Sequence, residues 1–397
     1  MVSFALSDTI QAVRELMHKF AETEMRPVAP QHDEEESFPW QVLEKAQEIG
    51  ILLNYARPAD ESKSERETNP EAAERNLLSA VAAEELAWGC AGITIAIQGT
   101  AFAAAPVLMM GSPGQRAFLG ECLDGRDAEG HLKVASLALT EPDAGSDISR
   151  VVTSAVKDGD HYVLNGRKQF ATNGSIASVY AVWASIDPSA GRSGLRAFII
   201  PRGTPGLIPG KKERKLGIRA SDTAGLILEG CRVPAAQMLE PRSSSRGGAR
   251  GVLDATRPMV GALSLGVARA ALEVATEHAR ERVQFGEPIA KKQGVAFELA
   301  DMAMEIEAAR GLVWKAVWMA DRGISNAAIA AMSKAKAATV AMDVTTKAIQ
   351  ILGGYGFCRD YPVEKWFRDA KIMDIFEGTG QIQRTIIAQD LTGLDCK

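Results

Sequence analysis

The chain has 397 residues, enough for two or three domains with a sizeable core, and its 46% hydrophobic and 24% charged residues are ordinary for a soluble globular protein. Its net charge of -5 offers no electrostatic footprint for nucleic acid, and its N-terminus lacks a signal-peptide pattern. No apolar run approaches the roughly 20 residues of a membrane span, and five scattered cysteines favour neither disulfides nor zinc, so we expect a cytoplasmic protein without a bound metal.

The first third of the chain carries a helical pattern. Over residues 7–126, apolar residues recur at spacings of three and four. We expect separate helices at 72–88 and 93–110, the second apolar nearly all round and therefore buried. A charged loop at 57–75 precedes them. These patterns predict an N-terminal helical domain over residues 1–130.

Near Lys133 the period of the apolar residues shortens to that of β-strands. Several short stretches bounded by Gly and Asn turns predict a compact antiparallel β-barrel or sandwich over residues 131–240. Within the stretch 161–172, Asn165-Gly166 is typical of a two-residue hairpin turn.

The last third returns to the helical period after a Ser- and Gly-rich linker at 241–248. Three long apolar stripes, the last ended by Gly353 and Gly354 as a C-cap, and a helix after Glu377 predict a four-helix bundle over residues 241–397. The predicted fold class is therefore α+β, mostly α.

A single carboxylate stands out in the segment Phe376-Glu377-Gly378-Thr379. The glycines beside it let the backbone approach a ligand closely. The opening amides of the following helix add partial positive charge, which predicts a carboxylate held ionised and ready to take a proton. On this segment alone, a solvated residue in a helix-start turn is the alternative.

Two polar turns in the predicted β-domain suit a ligand with phosphates and a flat ring. Gly145 and Ser146 can present backbone amides and a hydroxyl to a phosphate. Phe170 and Thr172 lie two residues apart, so in a regular strand both side chains point to one side, where they suit a flat heterocycle. Each segment taken singly is alternatively an ordinary turn.

Six segments in fixed order then decide the interpretation. They are 137–147, 170–174, 215–223, 282–286, 350–356 and 376–379. Any one is a weak signal, but together they resemble the acyl-CoA dehydrogenase family over essentially the whole chain. The resemblance implies an oxidoreductase that converts an acyl-CoA thioester to a trans-2-enoyl-CoA.

The resemblance also implies that FAD binds between the β-domain and the helical domains. For the flavin and its phosphates it assigns Leu139, Thr140, Gly145, Ser146, Phe170, Thr172, Thr379 and Gln381. For the adenosine half, which in this family is held partly by a neighbouring subunit, it assigns Arg282, Gln284, Phe285, Gln293, Gln350, Gly353 and Gly354. A shared site implies at least a dimer, and the family usually forms a dimer of dimers.

For the reaction, the resemblance implies that Glu377 removes the pro-R α-proton of the acyl-CoA while the flavin takes a hydride from the β-carbon. Electron-transfer flavoprotein would then take the electrons. The backbone N–H of the base would bind the thioester oxygen, and substrate binding would desolvate Glu377 and raise its pKa. Some branches of the family carry the base at the position of Thr256, which cannot serve here. The implied substrate contacts are Ser146, Arg257, Gln98, Phe376 and Gly378.

Three departures from the family pattern leave the length and branching of the acyl chain open. Phe170 replaces the more usual Trp, Phe376 replaces Tyr, and Gln98 stands where medium-chain relatives place an acid. One alternative on the same fold is a flavoprotein oxidase, or a dehydrogenase of a branched or cyclic acyl-CoA. An alternative of another class is a non-catalytic or DNA-associated flavin protein, which would carry basic extensions that this chain lacks.

Overall fold

The computed structural model describes residues 5–51, 74–240 and 248–395. The linker predicted at 241–248 and the loop predicted at 57–75 therefore lie almost wholly outside the described residues. The N-terminal helices are α1 (Asp8–Phe20), α2 (Ala29–Glu34), α3 (Trp40–Glu48), α4 (Arg75–Met110) and α5 (Pro113–Leu123). A π-helical turn, Ala21–Met25, continues α1 directly.

Helix α4 is kinked at Cys90, whose φ of -165° and ψ of 117° are not helical. The kink falls in the gap between the two helices that the sequence predicts. Two nitrogens of the Arg26 guanidinium donate to the carbonyl oxygen of Trp88 at 3.2 and 3.3 Å, and the group also lies 3.3 Å from the centre of the Trp88 ring. The Trp88 carbonyl oxygen, which lies beside the kink, therefore accepts hydrogen bonds from Arg26.

The middle of the chain forms a sheet with eight strands among the described residues. They are β1 (Ala135–Ala138), β2 (Ser154–Asp158), β3 (His161–Thr172), β4 (Val179–Ser185), β5 (Leu195–Pro201), β6 (Leu207–Lys212), β7 (Thr223–Pro234) and β8 (Met238–Leu239). Their order is β6-β7-β3-β2-β4-β5-β8, and β1 pairs with β4 outside this path. Most neighbours are antiparallel, whereas β1 and one end of β2 run parallel to β4.

The hairpin turn predicted at Asn165-Gly166 is wrong. Strand β3 runs through both residues, and its pairing with β7 shifts register between Leu164 and Gly166. The side-chain oxygen of Asn165 accepts a hydrogen bond from the Gly230 N–H at 2.7 Å. A β-carbon on Gly166, whose φ is 153°, would lie 2.7 Å from the Thr153 Cα. The pair therefore forms a β-bulge, which needs the same residue types as a tight turn.

The C-terminal helices include the four that the sequence predicts. They are α6 (Ala249–Glu281), α7 (Gln293–Asp321), α8 (Ala327–Leu352) and α10 (Gly380–Thr392). Gly353 ends α8 with a φ of 62°, as a C-cap glycine does. An additional helix, α9 (Val363–Met373), was not predicted, because the buried ion pair of Lys365 and Asp369 interrupts its apolar face.

The N-terminal and C-terminal helices share one hydrophobic core. It includes Leu86 of α4, Leu263 of α6, Val313 of α7 and Val344 of α8. Two further clusters contain the apolar side chains of the sheet. The shared core places α6 directly against α4, so the two helical segments form one packed unit.

Two helices among the described residues are long and apolar enough to cross a membrane by length and composition alone. They span Arg75–Met110 and Gly251–Glu281. In each, 67% of the most apolar window is buried inside the protein. Both therefore match the core helices of a globular protein equally well.

We expect Gly266→Ala to lower the free energy of unfolding by about 1–3 kcal/mol through overpacking. A β-carbon on Gly266 of α6 would lie 2.7 Å from the backbone nitrogen of Trp88 and 2.8 Å from the Cβ of Ala87, both on α4. The matched control is Gly311→Ala on α7, where a β-carbon meets nothing within 4 Å. There, helix propensity favours Ala by about 1 kcal/mol. Urea unfolding that shows equal effects for the two substitutions would contradict the close approach of α4 and α6.

Candidate active site

Glu377 lies in a tight loop between α9 and α10. The φ values of Glu377 (54°) and Gly378 (92°) are left-handed, a costly conformation for a glutamate. The side-chain amide of Gln383, in the first turn of α10, donates to the carbonyl oxygens of Glu377 (3.2 Å) and Gly378 (2.8 Å). The Thr379 hydroxyl caps α10 by accepting from the Ile382 N–H at 3.3 Å. These contacts hold the strained loop in place.

The carboxylate of Glu377 reaches helix α6. The Thr256 hydroxyl donates to Glu377 Oε2 at 2.5 Å, and Thr256 is itself buried. The next residue, Arg257, is buried and ion-paired with Asp254. Its positive charge acts on Glu377. Helix α6 thus brings Arg257 and Thr256 to the predicted base.

Burial raises the pKa of Glu377 above its ordinary value. The hydrogen bond from Thr256 and the positive charges of Arg257 and Lys334 oppose this shift without cancelling it. Desolvation therefore outweighs the nearby cations, so the pKa shifts in the direction opposite to the one expected from the helix start. A carboxylate with a raised pKa is a stronger base once it is ionised.

Lys334 is a site residue that the sequence did not single out. It lies on α8 with none of its surface exposed, and its Nζ donates to the Gly378 carbonyl oxygen at 2.7 Å. Burial lowers the pKa of Lys334 to about 8, although the charges of Asp374 and Glu377 act in the opposite direction. The available signal in the sequence is weak, because Lys334 lies in an alanine-rich helical stretch that also contains the surface lysine Lys336.

On the sheet, the turn after β1 is joined to β3 by a buried ion pair. The Lys168 Nζ donates to Glu141 Oε1 at 2.7 Å and to the Leu139 carbonyl oxygen at 3.1 Å. The Gln169 N–H donates to the Thr140 carbonyl oxygen at 2.8 Å. Burial lowers the pKa of Lys168 to about 8, with Glu141 opposing the shift. Two predicted flavin residues, Leu139 and Thr140, are thereby held beside the end of β3.

Phe170 presents an exposed aromatic ring near that end of β3. It is 63% exposed and has a φ of 58°. The pairing of β3 with β7 shifts register between Lys168 and Ala171, so the regular alternation expected for Phe170 and Thr172 is interrupted there. The Ser136 hydroxyl donates to the Thr172 carbonyl oxygen at 2.7 Å and anchors that residue. An exposed ring beside a fixed polar turn fits the flat ring system of a flavin.

A second group of predicted residues lines a cleft of about 490 Å³ on the C-terminal helices. It includes Arg282, Gln284, Gly353 and Gly354. The Arg282 guanidinium lies 5.4 Å from the centre of the Tyr355 ring, and among the described residues it has no hydrogen bond or ion pair. A β-carbon on either glycine would meet nothing within 4 Å. A free guanidinium beside open backbone fits a phosphate-bearing ligand.

The remaining predicted residues are less closely associated with either group. Gly145, Ser146, Phe285, Gln293, Gln350 and Gln381 are exposed, and Gln98 and Phe376 are partly buried. Across residues 5–51, 74–240 and 248–395, no hydrogen bond or ion pair connects the cleft to the loop of Glu377. The predicted site residues of one chain therefore fall into two groups that are not bonded to each other within the described residues.

Comparison with known proteins matches three family models in order along the chain. They are the N-terminal domain (7–126), the middle domain (136–231) and the C-terminal domain (247–392) of acyl-CoA dehydrogenases. The chain is 38% identical to a short-chain specific acyl-CoA dehydrogenase of Clostridium acetobutylicum, over 98% of this chain and 99% of that one. It is also 38% identical to the cyclohexane-1-carbonyl-CoA dehydrogenase of Geobacter metallireducens, over 98% of both.

Two solved structures are also similar over their full length. Butyryl-CoA dehydrogenase from Megasphaera elsdenii has a TM-score of 0.88 at 38% identity, covering 98% of this chain and 100% of that one. A chain from a structure described as the electron transferring flavoprotein of Acidaminococcus fermentans has a TM-score of 0.87 at 37% identity, with the same coverage.

We expect Thr256→Val to raise the pKa of Glu377 further, because the Thr256 hydroxyl favours the ionised carboxylate. The carboxyl stretching band of protonated Glu377, identified by its loss in Glu377→Gln, should then persist to higher pH in infrared titration. Thr276→Val is the matched control, since the Thr276 hydroxyl on the same helix bonds the Leu272 carbonyl instead. An unchanged or lower midpoint in Thr256→Val would show that this hydrogen bond does not stabilise the ionised form.

Proposed function

The chain belongs to the acyl-CoA dehydrogenase family, and from this membership and the geometry around residue 377 we propose that Glu377 removes the α-proton of a short-chain acyl-CoA thioester. The chain is an FAD-dependent oxidoreductase that dehydrogenates an acyl-CoA. The observation that carries the proposal is the position of the partly buried Glu377, whose carboxylate accepts a hydrogen bond from Thr256 of α6 and whose pKa is raised by desolvation.

The residues around Glu377 divide the work of proton removal. Burial brings the pKa of Glu377 closer to that of an activated α-carbon, which makes proton transfer easier. The Thr256 hydroxyl orients one carboxylate oxygen and leaves the other for the α-proton. The backbone N–H of Glu377 is the proposed donor to the thioester oxygen, where negative charge develops as the proton leaves.

Two groups of residues would hold FAD, which when bound supplies the acceptor for the hydride from the β-carbon. On the sheet, Leu139, Thr140, Phe170 and Thr172 would contact the flavin, and Ser146 a phosphate. On the C-terminal helices, Arg282 would pair with a phosphate and open backbone at Gly353 and Gly354 would admit the adenosine half, as the cleft supports. Phe285, Gln293, Gln350, Thr379 and Gln381 are proposed as further contacts.

We propose that two subunits complete each site, so that the protein is at least a dimer and, as is usual in the family, a dimer of dimers. Supporting this, the cleft with Arg282 has no bonded connection to the Glu377 loop within the described part of one chain. The residues beside the cleft are also exposed apolar ones, with Phe285 95% and Phe357 86% exposed. Such a surface is typical of a subunit interface.

A second candidate substrate is a cyclic acyl-CoA. The equal identity to the cyclohexane-1-carbonyl-CoA dehydrogenase favours it. Gln98, Arg257, Phe376 and Gly378 are the proposed substrate contacts in either case. Rates of anaerobic flavin bleaching with butyryl-CoA and with cyclohexane-1-carbonyl-CoA decide between the two substrates.

We expect Glu377→Gln to bind FAD normally but to be bleached by butyryl-CoA at least about 100-fold more slowly than the wild type, because general-base catalysis is lost. Stopped-flow absorbance under anaerobic conditions measures the rate. Glu277→Gln, at a surface residue paired with Arg280, is the control and should bleach normally. Wild-type bleaching by FAD-loaded Glu377→Gln would rule out Glu377 as the base.

We expect the substrate-reduced protein to be reoxidised rapidly by electron-transfer flavoprotein and slowly by air. The similarity to the Acidaminococcus fermentans structure and to dehydrogenases supports this partner. Double-mixing stopped flow with each acceptor gives the two rates. Faster reoxidation by air than by electron-transfer flavoprotein would identify an oxidase instead.

A further inference from the structure

Lys334 combines complete burial with a contact to the catalytic loop. Its ammonium donates a hydrogen bond to the carbonyl oxygen of Gly378 at 2.7 Å, and the charges of Asp374, Glu377 and Arg257 act on it. Burying a lysine is costly, and the pKa lowered to about 8 reflects that cost. An exposed lysine would not carry this desolvation cost, so we ask what the buried ammonium of Lys334 does.

The hydrogen bond from Lys334 is one of three that are donated to two successive carbonyl oxygens, those of Glu377 and Gly378. Gln383 donates from α10 to the carbonyl oxygens of Glu377 and Gly378, while Lys334 donates to Gly378 from α8. Two helices thus hold the peptide units that follow Glu377 and Gly378. The φ of 54° at Glu377 is unfavourable for a glutamate and persists only when its surroundings enforce it.

This backbone conformation determines what the amide of Glu377 can do. Within the described residues, the Glu377 N–H has no hydrogen-bond acceptor, although the carbonyls of Glu377 and Gly378 are both occupied. A free donor beside the base is the group that a developing oxyanion requires. The φ and ψ of Glu377 set the directions of this N–H and of the carboxylate relative to the held Glu377 carbonyl, so a change in the turn would displace both groups.

We propose that Lys334 is a positioning residue for α-proton removal: its ammonium, with the amide of Gln383, locks the left-handed turn so that the Glu377 N–H and carboxylate face the thioester together. This inference rests on the proposed function, in which Glu377 is the base. It goes beyond that function by assigning the geometry of the base to a residue on another helix.

The test replaces Lys334 by Met, which keeps the length of the side chain and removes the donor. We expect Lys334→Met to bind FAD and to bleach with butyryl-CoA about 10–100-fold more slowly, because displacement of reacting groups by about 1 Å costs that much. The dissociation constant for butyryl-CoA should change by less than about threefold, because the lost interaction matters most in the transition state. The α-deuterium isotope effect on bleaching should be at least as large as in the wild type.

Lys336→Met is the matched control, because Lys336 lies on the same helix and pairs with Glu305 at the surface. It should bleach at the wild-type rate. A purely structural role for Lys334 predicts weaker FAD binding or lower thermal stability, with a normal bleaching rate in the FAD-loaded fraction. That result, or equal slowing in Lys336→Met, would overturn the proposal.

Gln383→Met gives a second test that leaves the buried charge in place. It should slow bleaching in the same direction as Lys334→Met, and a normal rate would contradict the locked turn. If neither variant binds FAD, both residues serve folding and the proposal fails. Glu377→Gln separates the two hypotheses. Bleaching of Glu377→Gln at the wild-type rate would contradict the proposed function itself. Loss of bleaching in Glu377→Gln, together with a wild-type rate in Lys334→Met, would contradict only the role of Lys334.

Discussion

The withdrawal of the Glu377 carboxylate from water is the constraint on which the rest of the site depends. Desolvation raises its pKa, which makes it a stronger base than a carboxylate in solution. The same desolvation would leave an ionised carboxylate unsupported without a donor and nearby positive charge. Thr256, Arg257 and Lys334 supply these from two helices, α6 and α8. The helical core must therefore be closely packed for the chemistry to be possible.

At both parts of the proposed site, a buried lysine donates a hydrogen bond to the backbone carbonyl of a loop. In the sheet, the buried Lys168 donates to the Leu139 carbonyl in the turn assigned to the flavin. In the helices, the buried Lys334 donates to the Gly378 carbonyl in the loop of the base. Burial lowers the pKa of each to about 8. The long side chain of a lysine can reach a loop carbonyl from the protein interior, and the charge of a nearby carboxylate offsets part of the cost of desolvating its ammonium.

Most of the fold could be predicted from the sequence, which also singles out Glu377 as the proposed base, whereas the groups that contact Glu377 could not be predicted. The short stretches over residues 131–240 do form strands, as at β5 (Leu195–Pro201). Helix α9 was not predicted because two charged residues, Lys365 and Asp369, interrupt the pattern of apolar residues on its buried face. The burial of Lys334 depends on contacts between α8 and the loop after α9. The spacing of apolar residues along the sequence does not indicate such contacts between distant segments.

Asn165-Gly166 shows a different kind of failure. The residue types needed for a hairpin turn and for a β-bulge are the same, so only the pairing of β3 with β7 decides between them. The raised pKa of Glu377 is similar. The nearby glycines and helix start were visible in the sequence, but the balance between desolvation and charge depends on how deeply the loop is buried.

The shared core of the first and last helices has a consequence for how the chain is made. Synthesis proceeds from the N-terminus, so α4 is complete long before α6, α7 and α8, which cover it, exist. Until then the side of α4 that packs against these three helices has no partner, and the whole middle sheet must be synthesised in the meantime. The emerging chain therefore carries an uncovered apolar surface during most of its translation, and this surface is covered only when the C-terminal helices are made.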